Sequence, residues 1–232
     1  MSKTKTVSDE FKCKWCNKVF QKEQTLVNHL CVKKKRFMDK DTNGARIGFF
    51  VYTRFYELTT ASKKIKTVED FIQSSYYMDF VKFGWYIYNL NPINRDMFVD
   101  WVIKSSVKLK DWAKDQTYVT YLNDMVKREP VEKALERTIK LMIEWAEANG
   151  EQYYDFFRKI SPNEATHYIK NGRISPWVLY LSESANELMT GLNDEQYSMI
   201  TPVIDPSAWS LIIRQKIEDA KFAKSLLRES GL

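Results

Sequence analysis

Three cysteines and a histidine lie close together near the N-terminus of this chain. Cys13 and Cys16 are separated by two residues, and His29 and Cys31 follow with one residue between them. Thiolate sulfur and imidazole nitrogen suit a tetrahedral zinc ion. A segment of about 25 residues buries too little apolar surface to fold alone, so metal binding would supply its folding free energy. The alternative is a chance group of cysteines beside a core histidine.

The residues around this group follow a known spacing. The pattern is aromatic-x-Cys-x2-Cys-x3-Phe-x5-Leu-x2-His, and it is carried by Phe11, Cys13, Cys16, Phe20, Leu26 and His29. Up to the histidine it resembles the ββα zinc finger family. The resemblance implies a hairpin that bears both cysteines, a small core of Phe20 and Leu26, and a helix from which His29 faces the metal.

The fourth ligand departs from the family pattern. The family's second histidine is replaced here by the lysines at 33–35, and Cys31 is the natural substitute. His167 or a water molecule are the alternatives. Residues two apart on a helix point about 200° apart, so the helix must end or unwind after His29 for Cys31 to reach the metal. The predicted ligands of Zn²⁺ are Cys13, Cys16, His29 and Cys31.

The charge distribution favours a polyanionic partner. Residues 1–66 contain 16 Lys or Arg against 6 Asp or Glu, a net charge of +10, whereas the whole chain carries +6. In the finger family, residues beside and within the helix face DNA bases, and a basic run would neutralise phosphates. The predicted nucleic-acid-binding residues are Lys22, Thr25, Asn28, Lys33, Lys34, Lys35 and Arg36. We expect DNA as the first candidate, with RNA and either strandedness open, and protein docking as the alternative.

The remaining sequence predicts helices. We expect a mostly α protein: a ββα zinc finger with a basic tail at 1–36, a connecting segment at 37–66 and an all-α domain at 67–232. Thr67 and Asp70 resemble a helix cap, and the helix would continue to residue 90. The segment 50–60 suits strand or helix equally. Further helix starts are expected where a capping residue precedes proline, at 161–162, 175–176 and 205–206.

No catalytic motif is present, so we predict a non-enzymatic protein. The glycines are isolated and form no phosphate-binding loop. His167 lies in a helical pattern and suits a packing or surface role. The aromatic segment 76–86 suits a helix core, with stacking of single-stranded bases as the alternative. The sequence favours the cytoplasm over an oxidising compartment or a membrane. Its cysteines are odd in number, and we find neither a secretory signal nor an apolar span in it.

Three short segments outside the finger carry a second resemblance. They are Arg54–Leu58, Phe80–Gly84 and Gly172–Val178, and they resemble a group of proteins from large tailed bacteriophages. The resemblance implies expression in the cytoplasm of a bacterial host but brings no activity with it. A fainter likeness to phage helicase loaders surrounds Ile174 and Ser175. We therefore expect an accessory factor in phage replication, recombination or transcription, whose helical body binds a replication or transcription protein. An adaptor or structural protein is the alternative.

Overall fold

Regular structure in this protein is almost all α-helix, which confirms the predicted mostly α class. The computed structural model describes residues 11–61 and 64–232. Within these residues the strands form a single two-stranded sheet. The chain divides into two units: the first holds residues up to Asn91 together with Ile103–Ala113, and the second holds Pro92–Val102 and Lys114–Leu232. No helix in the described ranges has both the length and the apolarity of a membrane span.

The first unit begins with the sheet and two short helices, and longer helices follow. Its elements are β1 (Phe11–Lys12), β2 (Val19–Phe20), α1 (Glu23–Val27), α2 (Val32–Met38), α3 (Asn43–Thr59), α4 (Val68–Gln73) and α5 (Tyr77–Leu90). Short 3₁₀ turns cover Asp39–Asp41 and Leu109–Asp111. Helix α3 occupies most of the segment predicted as a connection over 37–66. The domain bounds at 36/37 and 66/67 stay predictions, because a division of the chain into two compact units does not test whether these segments fold independently.

Helices α3 and α5 pack against each other through glycines. A Cβ atom on Gly84 would lie 2.1 Å from the carbonyl oxygen of Gly44, and one on Gly48 would lie 2.8 Å from that of Phe80. The two backbones therefore approach more closely than side chains allow. The segment 50–60, for which the sequence left strand and helix open, lies almost wholly within α3, whose packing against α5 favours the helix.

The helix predicted from residue 67 to 90 is two helices. Its start is confirmed, because Thr67 and Asp70 form a reciprocal capping box. However, the chain leaves the helix at Ser74, whose side-chain oxygen accepts a hydrogen bond from the backbone N–H of Tyr76. Arg36 donates hydrogen bonds to the carbonyls of Ile72 and Ser74, at 2.9 and 3.1 Å. The break is stable because a distant side chain satisfies the carbonyls that it frees.

The second unit is entirely helical within the part of the chain that the structure describes. Helix α6 (Arg95–Lys104) begins in this unit and ends in the first. The other helices are α7 (Asp115–Arg128), α8 (Val131–Asn149), α9 (Phe156–Lys159), α10 (Pro162–Lys170), α11 (Pro176–Leu181), α12 (Glu183–Thr190), α13 (Asp194–Ile204), α14 (Pro206–Gln215) and α15 (Ile217–Glu229).

The predicted starts before proline are confirmed in this unit. Ser161, Ser175 and Asp205 each accept a hydrogen bond from a backbone N–H of the helix that follows. The core between the helices contains Trp177 and Trp209, whose rings meet edge to face at 5.6 Å and are almost fully buried. These aromatic contacts fix helices that are too short to be stable alone.

Candidate metal centre

A tight turn between β1 and β2 presents the first two cysteines. The strands pair in antiparallel register, with Phe11 opposite Phe20. The backbone N–H of Cys13 donates to the carbonyl of Lys18, and that of Asn17 donates to the carbonyl of Cys13, both at 2.9 Å. Asn17 has a φ of 60°, in the left-handed region that Asn tolerates better than most residues. This turn brings the sulfur atoms of Cys13 and Cys16 together.

His29 and Cys31 lie in the connection between α1 and α2. Helix α1 ends at Val27, so His29 follows the helix rather than projecting from it, and this differs from the family arrangement. The sequence predicted that the helix ends after His29, whereas it ends two residues before His29. Cys31 is the N-cap of α2, and its sulfur accepts a hydrogen bond from the backbone N–H of Lys34 at 3.3 Å. Outside a helix, residues two apart can face the same point.

The four predicted ligands form one group in the structure. One ligand atom from each of Cys13, Cys16, His29 and Cys31 lies within 4.8 Å of all the others. The Nε2 atom of His29 is 3.3 Å from the sulfur of Cys16. Zinc–ligand bond lengths place the ligands of a tetrahedral ion about 3.5–3.8 Å apart. The number, type and separation of these donors fit a tetrahedral metal ion.

The surroundings of the group support metal binding as well. Cys13 is buried, and the ring of Phe20 lies 4.7 Å from that of His29. The alternative ligand His167 is on α10 in the second unit, where its Nε2 atom is 3.1 Å from the side-chain nitrogen of Asn171. Cys31 is the fourth member of the group, and no role for His167 is needed.

The thiols influence one another electrostatically. Burial raises the pKa of Cys13, but hydrogen bonds with the backbone at Cys16 and Trp15 outweigh burial, and the pKa falls below its ordinary value. A backbone hydrogen bond at Lys18 lowers the pKa of Cys16, whereas burial and the adjacent Cys13 and Cys31 thiols raise it, and the net shift is upward. Three thiolates this close repel one another unless a cation compensates their charge.

The predicted base-contacting residues lie on α1 and at its ends. Lys22 is the N-cap, Thr25 lies within the helix and Asn28 is the C-cap. All three side chains are exposed, and the spacing of three residues places them on one side of the helix. The side-chain oxygen of Asn28 accepts a hydrogen bond from Gln24 at 3.5 Å. The helix is about 7.5 Å long.

The basic run in α2 is divided between two roles. The ammonium group of Lys34 donates to the carbonyls of Val27 and His29, and therefore caps the end of α1. Arg36 binds the end of α4, and its guanidinium lies 4.5 Å over the ring of Tyr77. By contrast, Lys33 and Lys35 have no hydrogen bond or ion pair from their side chains within 11–61 and 64–232. The structural roles of Lys34 and Arg36 leave no local signal in the sequence.

Comparison with known proteins adds no family to these observations. No family model, curated protein or solved structure matches this chain. The two resemblances therefore rest on the sequence segments quoted above. Of the two, the zinc finger resemblance is also supported by the structure, which groups the four predicted ligands.

Proposed function

We propose that this protein is a zinc-dependent, non-enzymatic accessory factor that binds nucleic acid through its N-terminal segment. The observation that carries the proposal is a Cys₃His group set among outward-facing lysines. Zinc suits this group because its sulfur and nitrogen donors are four in number, which is typical of structural zinc sites that leave no position open for catalysis. The ion would hold the hairpin, α1 and the start of α2 together as one binding surface.

The charge around the group suits a polyanion. Residues 11–38 contain eight Lys or Arg and a single acidic residue, Glu23. Two of the cations, Lys34 and Arg36, are used internally. The other six are Lys12, Lys14, Lys18, Lys22, Lys33 and Lys35, and none has an ion-pair partner in the described part of the chain. Unpaired lysines at this density would release counterions from a phosphate backbone, which gives affinity without sequence selectivity.

A second candidate function is the docking of another protein. Val27, Leu30 and Val32 lie beside His29 and Cys31 in the sequence, and all three side chains are at least 60% exposed. Exposed aliphatic residues in a group often mark a protein interface. In this case the lysines would form a solvated rim rather than bind phosphates.

Salt-dependent binding tests the proposal. The zinc-loaded protein would be titrated against fluorescent duplex DNA, single-stranded DNA and RNA at several salt concentrations. The Lys33→Gln/Lys35→Gln variant should bind duplex DNA more weakly, with a salt slope smaller by about 2, because each phosphate contact contributes about 0.9. Lys221→Gln/Lys224→Gln on α15 removes the same charge and is the matched control, which we expect to bind as the parent does.

Two results would contradict the nucleic acid proposal. The first is no binding to any of the three polymers, which leaves protein docking as the function of this surface. The second is an equal loss of affinity in the α15 control, which would mean that total charge rather than this surface determines binding.

A further inference from the structure

A cavity of about 380 Å³ lies within the first unit, next to α2. Its residues come from α2, α3, α4, the 3₁₀ turn after α2 and the first residue of α5. The floor is apolar and buried, with Ala45, Phe71 and Ile72 each no more than 2% exposed. The volume falls within the usual range for small-molecule sites, about 300–1,000 Å³.

Aromatic rings form much of the wall. Phe37 and Phe49 line the cavity from α2 and α3 and are only half-buried, whereas Phe71 and Tyr77 lie deeper. The ring of Phe71 is 5.7 Å from that of Phe49 and 4.7 Å from that of Tyr77. The ring of Phe37 already packs against that of Trp15 at 4.2 Å, so Phe49 is the half-buried ring that offers a planar ligand a stacking surface.

The polar groups at the cavity supply both donors and acceptors. Arg46 is exposed at the rim and has no ion-pair partner in the described ranges. Lys40 is paired with Asp41 at 2.7 Å, and Glu69 is an exposed carboxylate on α4. The Nε atom of Arg36 is buried and has no hydrogen-bond partner among the described residues. A ligand with carbonyl oxygens, amino groups and a phosphate would complement these side chains.

The cavity continues the basic surface proposed above. Lys33 and Phe37 are four residues apart on α2, so they share one face of the helix. A strand held by Lys33 would therefore pass the entrance. We propose that the cavity receives one unstacked base of a single-stranded nucleic acid, while Arg46 binds the neighbouring phosphate. This inference rests on the proposed function. A duplex would not place a base there without unpairing it.

Photocrosslinking of the zinc-loaded full chain tests this proposal. The probe is a single-stranded oligonucleotide with one halogenated uracil, and crosslinked peptides are mapped by mass spectrometry. We expect crosslinks at Phe37 or Phe49. Phe49→Leu, which keeps apolar volume but removes the ring, and Arg46→Gln should each lower single-strand affinity about tenfold and leave duplex affinity unchanged. Arg54→Gln, on the same helix but outside the cavity, is the charge-matched control.

The outcomes separate this proposal from the proposed function. If single strands bind but crosslinks fall only within residues 11–35 and both cavity variants bind normally, the cavity proposal is overturned and the nucleic acid function stands. If no nucleic acid binds, both are overturned. If the cavity binds N-acetylphenylalanine amide but neither uridine monophosphate nor the oligonucleotide, it is a site for an aromatic peptide side chain, and the base proposal fails.

Discussion

Arg36 closes the end of α4 and covers the ring of Tyr77, although it belongs to a run of surface lysines. We predict that Arg36→Met lowers the free energy of unfolding by about 2 kcal/mol, because two carbonyls lose a charged donor. Lys35→Met, at the exposed neighbouring position, should change it by less than about 0.5 kcal/mol. Urea unfolding measures both. Equal stabilities for the two variants would contradict the role assigned to Arg36.

The ligand set gives a second prediction for single residues. Cys31→Ala removes one of four donors, so zinc affinity should fall more than the roughly 10–100-fold that accompanies changes to residues around metal ligands. His167→Ala is the matched control and should retain the affinity of the parent. Competition with a chromophoric chelator measures affinity, and the visible spectrum of the Co²⁺ form reports the lost thiolate. A weakened His167→Ala variant would restore His167 as a ligand.

Residue roles were predictable where they depend on local spacing. A metal ion requires donors at set positions in a short segment, so the grouping of Cys13, Cys16, His29 and Cys31 could be inferred from their spacing. The role of Arg36 could not, because its partner Ile72 is 36 residues away. No local pattern distinguishes a lysine that caps a helix, such as Lys34, from one that faces solvent.

At the scale of elements, the contact between α3 and α5 gives a prediction. Gly84→Ala would place a methyl group 2.1 Å from the backbone oxygen of Gly44, and neither backbone can move without separating the helices. We expect a loss of about 3 kcal/mol in the free energy of unfolding. Gly191→Ala has its nearest neighbour at 3.4 Å and a negative φ, so its effect should be small. Thermal unfolding compares them, and similar midpoints would contradict close packing at Gly84.

Helix starts were predictable and one helix end was not. Capping residues act on backbone groups within the next three positions, so Thr67 and the caps before proline could be recognised directly. The break after Gln73 was missed because Ile72, Tyr76 and Phe80 follow one another at intervals of four residues, as they would on one face of a continuous helix. What stabilises the break is a side chain from α2, which is a tertiary contact.

At the scale of the whole molecule, different forces stabilise the helical core and the segment that contains the Cys₃His group. The group has little apolar surface of its own, whereas the core contains large buried rings such as Phe80, Phe83 and Trp112 in the first unit. Loss of the metal should therefore unfold a part of the chain and leave the rest folded. Cys31 belongs both to the group and to α2, because it is one of the four grouped donors and the N-cap of that helix.

Metal removal tests this division of stability. After chelation of the ion, we predict fast amide exchange in residues 11–38, retained protection in α5 and in α8 of the second unit, and a small loss of helical circular dichroism. The loss is small because α1 and α2 are short. Hydrogen exchange with mass spectrometry locates the change, and added Zn²⁺ should reverse it. Global unfolding would mean that the metal stabilises the whole chain, and unchanged exchange in residues 11–38 would contradict metal binding by this group.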